Sequence, residues 1–146
     1  MQRDLHLKEY QANSVGTADQ KQLIIMLYEG VLRFVNAAES NMASFKTYDK
    51  ANTNILRAQD IFTELMVSLN IEQGGEIAQN LLNLYAYCKS QLLEANLQKK
   101  AEFLKPVKKV VSELLEAWKQ IEQQPVAKAA SAAKPGDYKG GFKAEG

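Results

Sequence analysis

The sequence contains few of the residues on which catalysis, metal binding and covalent cross-linking depend. Its 146 residues include one cysteine, Cys88, and one histidine, His6. A single cysteine cannot form an internal disulfide, and one histidine in a terminal segment argues against a Ser/His/Asp or Cys/His catalytic set. The chain also lacks the Cys/His spacings of zinc sites and the Glu-x-x-His pairs of di-iron bundles. We therefore expect no catalytic residue, metal or cofactor, and we predict that the protein is not an enzyme.

Long apolar runs and an excess of one charge sign are also missing. No stretch approaches the roughly 18 apolar residues of a membrane span, and the N-terminal segment MQRDLHLKEY lacks the apolar core of a secretory signal. The chain has 18 basic and 17 acidic residues, for a formal net charge of +1. A lysine cluster between Lys99 and Lys109 has no aromatic platform beside it. We expect a cytoplasmic protein that neither inserts into membranes nor binds nucleic acid.

Apolar residues recur with helical period in four segments, and no segment alternates with period two for long enough to predict a strand. The predicted helices cover residues 18–43, 47–69, 75–95 and 103–121, with the pair Gly74 and Gly75 breaking the pattern before the third. Pro106 fits either the first turn of the fourth helix or a kink. Four helices joined by short links favour an all-α fold, an antiparallel four-helix bundle with an N-terminal arm or short extra helix.

Composition divides the chain into three parts. Residues 1–17 form the predicted arm, residues 18–123 the bundle, and residues 124–146 a tail rich in Ala, Lys and Gly. The tail has too few large apolar residues to offset the entropy of ordering, so we predict that it is disordered.

The first helix carries more apolar surface than one packing partner needs. Nine of the apolar residues between Leu23 and Val35 spread over roughly 200° of the helix, where about 100° suffices for an ordinary surface helix. Such a helix implies more than one packing partner. Its start is indicated by Thr17 and Gln20, which have the spacing of a capping box.

The second and third helices also carry apolar residues outside their core stripes. Leu56 and Val67 point away from the second helix's stripe, and Leu82, Ala86 and Leu93 form a narrow second stripe on the third. These positions fit a groove for a foreign amphipathic helix. The competing interpretation is that each helix of a bundle touches two neighbours and needs a wide stripe anyway.

Two tyrosines are stronger indications of contact with a partner than the apolar stripes are. Tyr87 falls on the polar side of the third helix, where the core does not require an aromatic, and its ring and hydroxyl suit a peptide anchor. Tyr10 precedes the first helix together with Leu5 and Leu7, so this arm can fold back over an apolar groove; a frayed terminus is the alternative. Replacing Tyr10 with Ala is expected to change the affinity for such a partner while leaving helicity intact.

Several segments in order resemble the flagellar secretion chaperone family that binds flagellin. They are Tyr10 with the following TADQKQLIIMLYEG, then NILRAQDIFTEL, GGEIAQNLLNLYAY, and LLEAN followed by LLEAW at Trp118. The sequence departs from the family pattern at Pro106 and in the tail after Gln124.

The resemblance implies a cytoplasmic export chaperone. Its client would be the disordered C-terminal region of flagellin, bound one-to-one, kept from premature polymerisation and delivered to the flagellar type III export apparatus. It also leaves a co-chaperone or flagellin regulator open as a further partner. The resemblance and the extra apolar positions together select these client contacts: Leu7, Tyr10, Tyr28, Leu56, Ala58, Val67, Asn80, Leu82, Leu84, Tyr87, Leu93 and Asn96.

A self-assembling helical adaptor is the strongest alternative from another class. In that interpretation the extra stripes of the second and third helices form a homodimer interface, since exposed apolar stripes commonly mediate self-association.

Overall fold

The structure, a computed structural model, describes residues 17–121 and consists of four α-helices with two short 3₁₀ helices in the links. The helices are α1 (Thr17–Ser40), α2 (Tyr48–Val67), α3 (Ile71–Gln98) and α4 (Leu104–Ile121). The 3₁₀ helices Phe45–Thr47 and Ala101–Phe103 lead into α2 and α4. This part of the chain contains no strand. The predicted all-α fold of four helices is confirmed.

Each helix contacts two neighbours, so the four close around one core: α1 packs on α2 and α4, and α3 packs on α2 and α4. Ion pairs from Lys108 to Glu39 and from Lys119 to Glu29 show that α4 runs antiparallel to α1. The wide apolar arc of α1 is thereby explained, because it serves two helices of the same bundle rather than a foreign partner.

Two tyrosine hydroxyls hydrogen-bond to each other at the centre of the apolar core. Tyr28 of α1 and Tyr85 of α3 are both buried, and their hydroxyl oxygens are 2.7 Å apart. The Phe62 ring of α2 lies against Tyr85 with a centroid distance of 5.9 Å. Since each buried hydroxyl finds a partner in the other, the bond offsets the desolvation of both groups.

Gly30 lets α1 and α2 approach closely. It is buried, and a Cβ atom built there would lie 3.0 Å from Cδ1 of Ile61 on α2. Real Cβ contacts are rarely that short, so a larger residue would require the end of the Ile61 side chain to shift by a few tenths of an ångström.

The start of α3 differs from the prediction. The pair Gly74 and Gly75 was expected to precede the helix, but α3 begins at Ile71, where the Asn70 side chain accepts a hydrogen bond from the backbone N–H of Gln73. Gly75 then takes φ 58° and ψ −133°, a conformation that only glycine adopts without strain, and the helix continues beyond it. Gly75 therefore interrupts the regular helix, as the glycine pair predicted, and residues 71–74 add a helical turn before the interruption.

The other boundaries agree with the sequence to within a few residues. The first helix ends at Ser40 rather than near residue 43, because Asn41 and Met42 form a turn stabilised by backbone bonds to Ala38 and Glu39. Pro106 is the third residue of α4, where a backbone N–H has no helical acceptor in any case, so it belongs to the first turn.

Cys88 is buried in the core, and burial raises the pKa of its thiol to about 12. Glu113 and Glu116 are exposed on α4 opposite its buried stripe. No helix among the described residues is long and apolar enough to cross a membrane. The predicted arm and tail lie outside the described residues.

Candidate functional site

Three hydrogen bonds define how α2 and α3 lie side by side. Asn96 Nδ2 donates to Asn52 Oδ1 at 2.6 Å, Gln59 Nε2 donates to the Lys89 carbonyl at 3.4 Å, and Lys89 Nζ donates to Thr63 Oγ1 at 2.8 Å. As residue numbers rise on α2 they fall on α3, so the helices are antiparallel. We call the outer surface between them the α2–α3 groove. It is bordered by Asn52, Leu56, Gln59, Thr63 and Val67 of α2 and by Leu82, Ala86, Lys89, Leu93 and Asn96 of α3.

Apolar side chains occupy two levels of the α2–α3 groove. The register places Leu56 opposite Leu93 near one end and Val67 opposite Leu82 near the other. Leu56 is 46% exposed, Leu93 48% and Val67 76%, while Leu82 is half-buried. Polar groups of Gln59, Thr63 and Lys89 separate the two levels, so the groove is apolar at both ends and polar in the middle.

A second set of predicted contacts lies on the other flank of α3. At roughly 100° per residue, Tyr87 is about half a turn around the helix from Asn96, on the side away from α2. Asn80 and Leu84 fall on the same flank; Tyr87 is 45% exposed, Asn80 is exposed and Leu84 is half-buried. The structure therefore divides the predicted contacts of α3 between two surfaces instead of joining them in one patch.

Two of the predicted contacts are buried in the core instead of lying at the surface. Tyr28 is fully buried, and its hydroxyl is hydrogen-bonded to that of Tyr85. Ala58 is fully buried on the core face of α2. Tyr28 belongs to the wide apolar arc of α1, which the bundle itself uses, and Ala58 shares the core stripe with Phe62 and Ile55. Leu7 and Tyr10 lie outside the described residues.

Sequence reasoning missed the polar residues of the groove. Asn52, Gln59 and Thr63 are spaced by seven and four residues on α2, which places them on one face beside Leu56. That spacing was visible in the sequence, but their pairing with α3 was not, since a side chain's partner on another helix depends on the register between the helices.

The groove and the core differ in their electrostatics. Burial raises the pKa of both Tyr28 and Tyr85, so the pair stays protonated and neutral. In the groove, by contrast, the Lys89 ammonium group is bound to a neutral hydroxyl rather than to a carboxylate. A bound segment with a carboxylate at this level would supply the missing opposite charge. Among the described residues no group of three or more His, Cys, Asp and Glu side chains is placed to hold a metal ion.

Comparison with known proteins decides the family. The family model described as "Flagellar protein FliS" matches residues 3–125, which include all four helices and the α2–α3 groove. This chain belongs to the FliS family. The resemblance read from the sequence is thereby confirmed.

Curated relatives agree with the FliS assignment over most of the chain. The flagellar secretion chaperone FliS of Campylobacter jejuni subsp. jejuni is 35% identical over 121 residues, covering 83% of this chain and 94% of the relative. The protein of the same name from Bacillus subtilis is 33% identical and covers 78% of this chain and 84% of the relative. The one from Salmonella typhimurium is 35% identical, with 75% and 81% covered.

Proposed function

We propose that this FliS-family protein is a cytoplasmic flagellar export chaperone that binds the disordered C-terminal region of flagellin. Binding would prevent premature polymerisation and deliver the client to the flagellar type III export apparatus. The names of the relatives support the export role. The observation that supports the client site is the pair Leu56 and Leu93, which face each other on the outside of a bundle whose core is complete without them.

The α2–α3 groove has the dimensions of a short helix. Leu82 and Leu93 are eleven residues apart on α3, so the two apolar levels are separated by about 16 Å, or three helical turns. An amphipathic client helix laid along the groove would place apolar residues at both levels and polar ones between them. Lys89, at the polar level, favours an acidic residue near the middle of that helix.

The other flank of α3 fits a second part of the same client. Tyr87 offers a ring and a hydroxyl beside Asn80 and Leu84, on the side of α3 away from the groove. A client that continues around α3 would meet both surfaces, and this explains why the exposed contacts fall in two places. Such a client orders as it binds, so burial of a large extended interface must offset its loss of entropy.

Calorimetric titration with the C-terminal segment of a cognate flagellin tests this function, with circular dichroism of the mixture recorded in parallel. We expect saturable one-to-one binding and a gain of helix beyond the sum of the separate spectra. Absence of binding by well-folded protein would contradict the proposal. The N-terminal segment of the same flagellin is the matched control client.

The exposed apolar residues of the groove also fit the adaptor alternative, in which two copies pair through α2 and α3. Sedimentation velocity of the purified protein over a range of concentrations separates the two. A monomer favours the chaperone, whereas a stable dimer that Leu93→Glu dissociates favours the adaptor.

A further inference from the structure

A charged surface lies on the flank of α2 that faces away from the groove, where α2 meets α1. Arg33 of α1 and Arg57 of α2 both lie over the ring of Phe34, with their guanidinium carbons 5.5 and 6.0 Å from its centroid. The two charges therefore lie within about 12 Å of each other, a distance at which like charges still repel. Both arginines are exposed, while Phe34 is half-buried.

The cationic surface continues toward the α1–α2 link. Lys50 is seven residues before Arg57, so both lie along one line of α2, and Lys46 follows in the 3₁₀ helix of the link. Both lysines are exposed, and Phe45 beside them is 76% exposed. We call this surface the cationic strip. It comprises Arg33, Phe34, Phe45, Lys46, Lys50 and Arg57.

Two acidic residues of α1 near the cationic strip turn toward α4, while Asp60 and Glu64, three and seven residues after Arg57 on α2, border the strip at its far end. Glu39 of α1 accepts a hydrogen bond from Lys108 of α4 at 2.6 Å, and Glu29 lies 3.9 Å from Lys119 of the same helix, so both carboxylates turn toward α4. Asp49 lies about 100° around α2 from Lys50, toward α3. Between Arg57 and Lys46 the line of α2 that carries Lys50 holds no carboxylate.

Positive charge at this end of α2 does not serve the helix itself. The N-terminus of a helix carries partial positive charge, which acidic side chains stabilise and basic ones do not. Lys46 and Lys50 flank that N-terminus, and Arg33 and Arg57 repel each other. An external anion would relieve both, since a carboxylate between the two guanidinium groups could accept hydrogen bonds from either.

We propose that the cationic strip is a docking surface for an acidic segment of a partner protein, one that carries carboxylates around an aromatic or large apolar residue. The carboxylates would pair with the four cations, and the apolar residue would pack on Phe34 or Phe45. Lys50 and Arg57 are about 10 Å apart along α2, and Lys46 lies four residues before Lys50 in the link, so five or six residues of an extended peptide can span the strip.

The size of the strip favours a peptide over nucleic acid or a membrane. Four cations lie along a single helix pair, while the chain as a whole has a formal charge of +1 and a pI of about 7.8. Nucleic-acid-binding domains usually show a broad basic face and a high pI. The strip is separate from the groove, because Arg57 and Leu56 are adjacent residues about 100° apart around α2. A partner could therefore bind while the groove is filled, and the inference does not rest on the client proposal.

The test uses a synthetic peptide with four carboxylates around one tryptophan, titrated into the isotopically labelled full chain at low salt and observed by two-dimensional NMR. We expect backbone amide shifts at residues around Arg33, Lys50 and Arg57, and a marked loss of affinity at physiological salt. The control peptide carries the corresponding amides in place of the carboxylates and is expected not to bind.

Charge-reversal variants test whether binding depends on the cationic strip or only on the overall charge of the protein. The double variant Arg33→Glu, Arg57→Glu should weaken binding about tenfold or more, whereas Lys100→Glu, at an exposed lysine in the α3–α4 link, should change it less than about twofold. Arg33→Gln with Arg57→Gln repeats the test should the charge reversal perturb folding, which circular dichroism reports. Equal loss in the Lys100 variant, or equal binding of the amide peptide, would overturn the proposal. So would a preference of the strip for anionic lipid vesicles or single-stranded DNA over the acidic peptide.

Discussion

Tyr85 and Tyr87 are two residues apart on α3, yet one is 1% exposed and the other 45%. Leu92 and Leu93 repeat the contrast, with Leu92 fully buried and Leu93 48% exposed. Each pair has the same residue type in the same helix, so composition and helix propensity cannot separate them. The rotational position around α3 does: one face completes the core, and the outer faces stay exposed.

The leucine pair gives the largest expected effect on stability. Leu92→Ala removes a fully buried side chain and should lower the free energy of unfolding by about 3 kcal/mol, whereas Leu93→Ala should change it by less than about 0.5 kcal/mol. Urea denaturation followed by circular dichroism measures both. Similar losses in the two variants would show that Leu93 belongs to the core.

The second-largest expected effect is on binding rather than on stability, and it concerns the exposed Tyr87. Tyr87→Ala should weaken binding of the flagellin C-terminal segment by about 2 kcal/mol, a hot-spot magnitude, with little change in stability. Calorimetric titration of the variant measures the affinity, and its denaturation curve serves as the control. A variant that is only destabilised and binds normally would remove Tyr87 from the client surface.

The third test concerns the hydroxyl bond inside the core. Tyr85→Phe keeps the ring but leaves the Tyr28 hydroxyl without its Tyr85 partner, at a cost of about 1.5 kcal/mol. The cost is moderate because the Trp118 side chain also interacts with Tyr28. Adding Tyr28→Phe should recover part of the loss, and a double-mutant cycle by denaturation gives the coupling. Purely additive losses would contradict a shared bond.

Alkaline pH should also lower the stability of the folded protein. Burial raises the folded pKa of Cys88, Tyr28 and Tyr85 above their ordinary values of 9.0 for the thiol and 10.0 for the phenols. Above those values the unfolded chain releases protons that the folded chain retains, so stability is lost as pH rises. Each group contributes a slope of up to about 1.4 kcal/mol per pH unit. Thermal unfolding from pH 8 to pH 11 measures it, and Cys88→Ala should delay the onset; an unchanged onset would exclude the thiol.

Much of the fold was predictable because periodic apolar residues identify helices without reference to their neighbours. The core role of Cys88 and the exposure of Leu56, Leu93 and Tyr87 follow from that periodicity. The break at Gly74 and Gly75 was predicted correctly, but the helical turn before it, which begins at Ile71, was not. Asn70 and Gln73 have the spacing of a helix cap, which would have indicated the earlier start.

The candidate site was harder to predict than the fold. Tyr28 and Ala58 resembled contact residues in the sequence, but burial depends on which neighbour covers each face, and a single helix does not contain that information. The pairings Asn52 with Asn96 and Thr63 with Lys89 depend on the register between α2 and α3. The cationic strip could not be predicted from the sequence for the same reason, because its two arginines come from different helices.

The double variant Leu56→Glu, Leu93→Glu tests whether the α2–α3 groove holds the client, through its affinity for the flagellin C-terminal segment measured by calorimetry beside the unaltered protein. Both positions are exposed, so the variant should keep the stability and helix content of the parent. Binding is expected to weaken by about a hundredfold or more, because two carboxylates would replace the apolar side chains at one end of the α2–α3 groove. Unchanged affinity in a folded variant would contradict it and place the client elsewhere on the bundle.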